Sequence, residues 1–197
     1  MENNKKSNKR IKGAEEYVDT LSQKHSKLNI IRVDLGYKKP YSQTTTLEEA
    51  NSDLNHMLNN TRSKPSIYEP LVGYMCKKEH TENKGMHIHA LFMFDGQKVQ
   101  KGSFKADQIG KYWEKITKGK GSYHNCHRNK YKSDGIGILD HNDSDKRKIL
   151  YDKVISYLCK DRQEIEPAKE SKKDRAFTRG TIKKNDGNKG RPRGIKK

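Results

Sequence analysis

Little in this sequence can be buried. Hydrophobic residues make up 30% of its 197 residues and aromatics 8%. No apolar run is long enough to cross a bilayer, which excludes a helical membrane protein, and the composition lies close to that of partly disordered chains. Cysteine is scarce: Cys76, Cys126 and Cys159 are an odd number at wide spacing. A disulfide framework is thereby excluded, and a reducing cytoplasm is the expected compartment. The first residues, MENNKKSNKR, lack the apolar stretch of a signal peptide. No G-x-x-x-x-G-K-[ST] occurs, which excludes a P-loop ATPase.

Carboxylates are also in deficit. Against 43 Lys and Arg there are 25 Asp and Glu, a net charge of +18. Such a charge speaks of partners rather than fold, and it points to a polyanion. Nucleic acid is the first candidate. An anionic membrane surface is the weaker one, because no terminal amphipathic helix with aromatic anchors is present. Apolar side chains are concentrated in the middle of the chain. Residues 1–12 read as a basic flexible leader, 13–182 as one folded domain and 183–197 as a basic flexible tail.

Within the domain, AEEYVDTLSQ reads as a short helix and LNIIRVDL as a strand. TTTLEEANSDLNHMLNN carries a threonine cap, two glutamates and leucines at helical spacing. A strand is expected from Leu71 and a turn at TENKG, followed by the most apolar strand, MHIHALFMF. KADQIGKYWEKITKG reads as a helix with Ile109, Tyr112, Trp113 and Ile116 on one stripe. A short strand near Gly135–Leu139 and a helix over SDKRKILYDKVISYLCKDRQ complete the order. An antiparallel hairpin with helices on either side predicts an α+β fold around an antiparallel sheet.

Residues two apart in a strand share a face, so His87 and His89 point the same way as Leu91 and Met93. The strand before the turn brings Glu79 opposite or diagonal to one of them. Two imidazoles and a carboxylate are a donor set for a divalent transition ion. The alternative is a pair of satisfied sheet histidines facing a polar groove. In the last helix Tyr157 and Lys160 are spaced i, i+3 and would share a face. A phenol can attack phosphorus, and a lysine can steady the phenolate or the phosphate; equally, the tyrosine could pack and the lysine snorkel.

The order of these features resembles a known family. EHTENKGMHIHALFMF resembles the His-hydrophobe-His metal motif of the HUH endonucleases, and YLCKDRQ their Tyr-x-x-Lys nucleophile motif. LNIIRVDL, IGKYWEKIT, GIGILD and RAFTRG extend the likeness to the inovirus Gp2 family of phage and prophage replication initiators, over residues 15–182. The resemblance implies a ferredoxin-like antiparallel sheet, His87, His89 and Glu79 as metal ligands, Tyr157 as nucleophile and Lys160 as its helper. Asp34 would shape the metal region or hold DNA. The implied cofactor is Mg²⁺ or Mn²⁺. The implied activity is single-stranded DNA nicking and joining that starts rolling-circle replication of a phage, plasmid or related mobile element. Single-stranded DNA or an origin hairpin is the expected partner, with a host helicase and polymerase supplying what this chain lacks; no membrane is expected. A non-cleaving DNA-binding repressor or accessory protein on the same fold is the alternative, as is a transposition or mobilisation nuclease of the same chemistry.

Among the many cations, Arg32, Arg175, Arg179, Lys183 and Lys184 are read as DNA contacts. Tyr151 is expected on a different helix face from Tyr157 and so outside the chemistry. His124, Cys126 and His127 lack a second cluster to make a zinc site, and are expected in a loop or at the edge of the DNA groove. Tyr112 and Trp113 are expected in the core.

Overall fold

The structure, a computed structural model, describes residues 2–160, 165 and 175–182, with only the backbone of 2–6. Lys183, Lys184 and the rest of the expected tail lie outside the described residues.

Three long antiparallel strands form the centre: β1 (Lys27–Tyr37), β2 (Leu71–Thr81) and β3 (Gly85–Asp95). Two short strands share the outer edge of β1, namely β4 (Gly121–Asn125) and β5 (Gly137–Asp140). A three-residue strand, β6 (Phe177–Arg179), covers the edge of β2. The order across the sheet is β4-β1-β3-β2-β6, with β5 also on β1. The helices are α1 (Glu2–Lys24), α2 (Tyr41–Thr44), α3 (Leu47–Asn59), α4 (Pro65–Tyr68), α5 (Gly102–Ile116), α6 (Ser144–Ile149) and α7 (Ser156–Cys159). A π-helical segment, Leu150–Ile155, joins the last two. This is an α+β fold with a ferredoxin-like antiparallel sheet between two helical layers, as expected.

The period of two along β3 decides what each layer covers. Ile88, Ala90, Phe92 and Phe94 pack with Ile31, Val33 and Leu35 under α3 and α5. Trp113 is fully buried there and donates from Nε1 to the Gly36 carbonyl at 2.8 Å; Tyr112 is buried beside it. On the other face Leu91, Met93, Met75 and Ile30 meet Tyr17, Val18 and Leu21 of α1, and Leu150, Ile155 and Leu158 of the last helix. The helix α3 begins as its sequence requires: Thr46 Oγ1 accepts from the Glu49 amide, and the Glu49 carboxylate accepts from the Thr46 amide. Gly85, which closes the β2–β3 turn with φ +64°, has no room for a Cβ, which would lie 1.6 Å from the Ser42 carbonyl oxygen.

Several elements differ from the sequence expectation, each for a tertiary reason. The leading helix starts at Glu2 rather than near Ala14, and Ile11 joins the core under it. Residues of the YHNCHR stretch form β4, because Gly121–Asn125 finds the open edge of β1. RAFTRG supplies β6 by the same logic at β2. The last helix ends at Cys159, short of the expected Gln163, and Lys160 is extended. Its final carbonyls are taken from outside the helix. Ser7 and Arg10 donate to the Cys159 carbonyl at 3.1 and 3.3 Å, and Lys77 donates to that of Lys160. Among the described residues no helix is long and apolar enough to cross a membrane.

Candidate active site

The site lies on the α1 face of the sheet, where register decides which polar side chains meet. Glu79 of β2 stands directly opposite His87 of β3, and Lys77 opposite His89. On the other flank Asp34 of β1 is opposite His89, and His124 of β4 opposite Asp34. One row therefore reads His124, Asp34, His89, Lys77 across four strands. The sequence left Glu79 opposite or diagonal to a histidine; the hairpin register makes it opposite His87.

Glu79, His87 and His89 each offer one ligand atom, all within 4.8 Å of one another, and form the one such cluster among the described residues. Glu79 Oε2 is 3.2 Å from His89 Nε2 and 3.4 Å from His87 Nε2. The far side of each ring is tied down. His87 Nδ1–H donates to the Gly85 carbonyl at 3.0 Å, and His89 Nδ1–H to Asp34 Oδ1 at 2.7 Å. These bonds keep a proton on Nδ1 and leave Nε2 as the ligand atom, the usual outer support of metal-binding histidines. In the metal-free site an Nε2 proton donates to Glu79 Oε2 in the place an ion would take. Lys77 is fully buried and holds the other Glu79 oxygen at 2.7 Å, leaving Oε2 to the imidazoles. The donor set fits a divalent ion.

Charge in this cluster is balanced by contact. Burial alone would raise the Glu79 pKa, but hydrogen bonds from His87, His89 and Lys77 outweigh it and hold the carboxyl well below its ordinary range. Burial opposes charge on His89, yet Asp34 and Glu79 on either side raise its pKa above the usual value. Asp34 is held low against its own burial by His89 and Arg32.

Tyr157 reaches this cluster from α7. Its ring stands edge-on to His89 at 5.5 Å between centroids and remains 40% exposed. The Arg32 guanidinium lies over it at 4.9 Å, within cation–π range, and Arg32 Nε is 3.5 Å from Asp34 Oδ1. Burial and the Glu79 charge raise the Tyr157 pKa, while Arg32 lowers it. The cation at the phenol is thus Arg32, which the sequence marked only as a DNA contact. Lys160 is the C-cap, one residue past the helix end: it is exposed, its amide donates to the Tyr157 carbonyl at 3.3 Å, and its extended ψ turns the chain out of the helix after it. Lys77 was missed, although Lys77 and Glu79 sit two apart and so share a strand face.

Tyr151 is committed elsewhere. Its hydroxyl donates to Asp19 Oδ1 at 2.5 Å, and Arg147 holds the same carboxylate at 3.0 Å. Burial and Asp19 push its pKa up. Of the triplet in the YHNCHR stretch, His124 faces the site and pairs with Asn129 Oδ1 at 2.9 Å. Cys126 is buried, which pushes its thiol up to about 12. The three form no metal cluster among the described residues. Beside the histidines an open groove of about 530 Å³ runs along β1 and β4, lined by Asp34, His87, His89, Ser122, His124 and Lys84 among others. Arg175 and Arg179 lie at the opposite edge of the sheet, around β6.

No curated protein and no solved structure matches the chain. One family model does, that of the YagK/YfjJ C-terminal domain, over residues 1–179. With that match covering most of its length, the chain belongs to the YagK/YfjJ C-terminal domain family.

Proposed function

We propose that this protein is a metal-dependent enzyme that nicks and rejoins single-stranded DNA through a phosphotyrosine intermediate, and so initiates rolling-circle replication of a mobile element. The observation that carries the reading is the position of Tyr157, exposed to solvent yet against His89 of the three-ligand cluster and under Arg32. The resemblance of the motifs to HUH endonucleases and the +18 charge support the same reading.

His87, His89 and Glu79 would hold Mg²⁺ or Mn²⁺, which supplies Lewis-acid charge to the scissile phosphate. Arg32 stabilises the phenolate that forms as Tyr157 attacks, and the phenolic proton passes to solvent. The new bond joins Tyr157 Oη to phosphorus, and the bond from phosphorus to the 3′ oxygen breaks. That oxygen takes a proton and is released as the 3′-hydroxyl a polymerase needs. Attack by a 3′-hydroxyl on the phosphotyrosine reverses the step and closes the strand. Asp34 orients His89, and Lys77 fixes Glu79. Lys160 would contact the substrate phosphate from its exposed place after the helix. With Tyr151 bound to Asp19, one tyrosine serves the cycle.

The test is adduct formation on a library of single-stranded oligonucleotides. The parent protein with Mn²⁺ should give a covalent band of reduced mobility, abolished by chelator. Tyr157→Phe should give none, and an equal adduct from that variant would refute the assignment.

A further inference from the structure

At the β6 edge, away from the histidine groove, an open pocket of about 590 Å³ lies between α1 and the β6 strand. Four cations line it: Lys9 and Arg10 from α1, Arg175 and Arg179 from the β6 segment. Among the described residues lining it, none carries a carboxylate. Two of the cations are held in place by the fold. Arg10 lies 5.7 Å over the Phe177 ring and donates to the Cys159 carbonyl, while Arg179 lies 5.5 Å over Tyr17 and donates to the Gly13 carbonyl. Lys9 and Arg175 are exposed. Guanidinium and ammonium donors are thus gathered in one concavity, and two cation–π contacts orient two of them. A row of phosphates is the ligand class that such donors recognise.

The place of the pocket identifies the occupant. Arg10, in its wall, bonds the carbonyl of Cys159, two residues after Tyr157. Lys77, which holds Glu79, bonds the next carbonyl and is paired with Phe177 of β6. A wall residue of the basic pocket is thus bonded to the segment that carries Tyr157, while the histidine groove is lined from β1 and β4. A single strand held at Tyr157 is the polyanion that this link brings to the pocket.

We infer that the pocket of Lys9, Arg10, Arg175 and Arg179 binds backbone phosphates of single-stranded DNA on one side of the scissile phosphate. The inference rests on the nuclease reading for its substrate, but it is measured without cleavage. A short fluorescent oligothymidylate is titrated in chelator at several salt concentrations with parent, Lys9→Gln/Arg175→Gln and, as control, Lys111→Gln/Lys115→Gln on the outer side of α5. Loss of two phosphate contacts should reduce the slope of log affinity against log salt by about 1.4 for the pocket variant, with the control unchanged. Both pocket residues are exposed, so melting should match the parent; Lys9→Glu alone gives a second, charge-reversed arm with a larger loss of affinity. Equal slopes for parent and pocket variant, or an equal drop in the control, would overturn the inference. A parent that forms no adduct yet shows the pocket-dependent slope would sink the nuclease reading and leave the pocket standing.

Discussion

Asp34 is the residue whose removal best tests how the histidine cluster works. It touches no ligand atom; it holds the back of His89 at 2.7 Å. Asp34→Asn keeps an oxygen acceptor for the Nδ1 proton and removes the charge, whereas Asp34→Ala removes both. Loss of such outer support weakens metal binding by about 10- to 100-fold, or about 1.4 to 2.7 kcal/mol, so Asn is expected near the lower value and Ala near the upper. Calorimetric titration with Mn²⁺ reads this directly. The pH dependence separates charge from shape. Without metal His89 lies between two carboxylates, and its pKa is raised above 6.5. Metal must displace that proton, so parent affinity should rise with pH through a midpoint above that of an ordinary imidazole. In Asp34→Asn one carboxylate charge is gone and the midpoint should fall. The linked stability has the opposite slope. Protonated His89 stabilises the metal-free fold fully below its unfolded pKa, and this contribution is lost as pH rises through the raised folded value. Mn²⁺ should therefore raise the melting temperature more at alkaline than at acidic pH. Unchanged affinity in Asp34→Ala, or a midpoint that does not move in Asp34→Asn, would refute the reasoning.

Two further outcomes follow from the same face of the sheet. Lys77→Met removes one partner from a buried ion pair and should lower unfolding stability by about 3 kcal/mol in urea; saturating Mn²⁺ should recover part of the loss, and a loss indifferent to metal would show that Lys77 serves only the helix end. Arg32→Met removes the cation 4.9 Å from the phenol. Single-turnover adduct formation should slow by about tenfold, with its pH profile moved to higher pH, because Arg32 is what lowers the Tyr157 pKa. The same rate and profile in the variant would exclude that role.

Legibility from sequence followed the range of the interaction. The α3 threonine cap, the turn before the histidine strand and the two faces of β3 are encoded within a few residues, and each formed as read. The pairing of Glu79 with the histidines was readable nearly to the residue, because a tight hairpin limits the register. Beyond that distance periodicity carried no information. The strands β4 and β6 are short, polar segments that become strands only because β1 and β2 have edges to cover. The end of the last helix was misread for a related reason: the carbonyls of Cys159 and Lys160 bond to Ser7, Arg10 and Lys77, none of which is near in sequence.

The sequence by itself thus determined the donor set and the face of the strand that carries it, since these depend on residue type and a period of two. Tertiary structure alone decided which cation lies over the Tyr157 ring. Helical spacing named Lys160, but the helix stops at Cys159. The sheet lifts Arg32 of β1 onto the phenol and buries Lys77 against Glu79. Both are contacts between elements distant in sequence, and no local pattern encodes how α7 crosses the sheet.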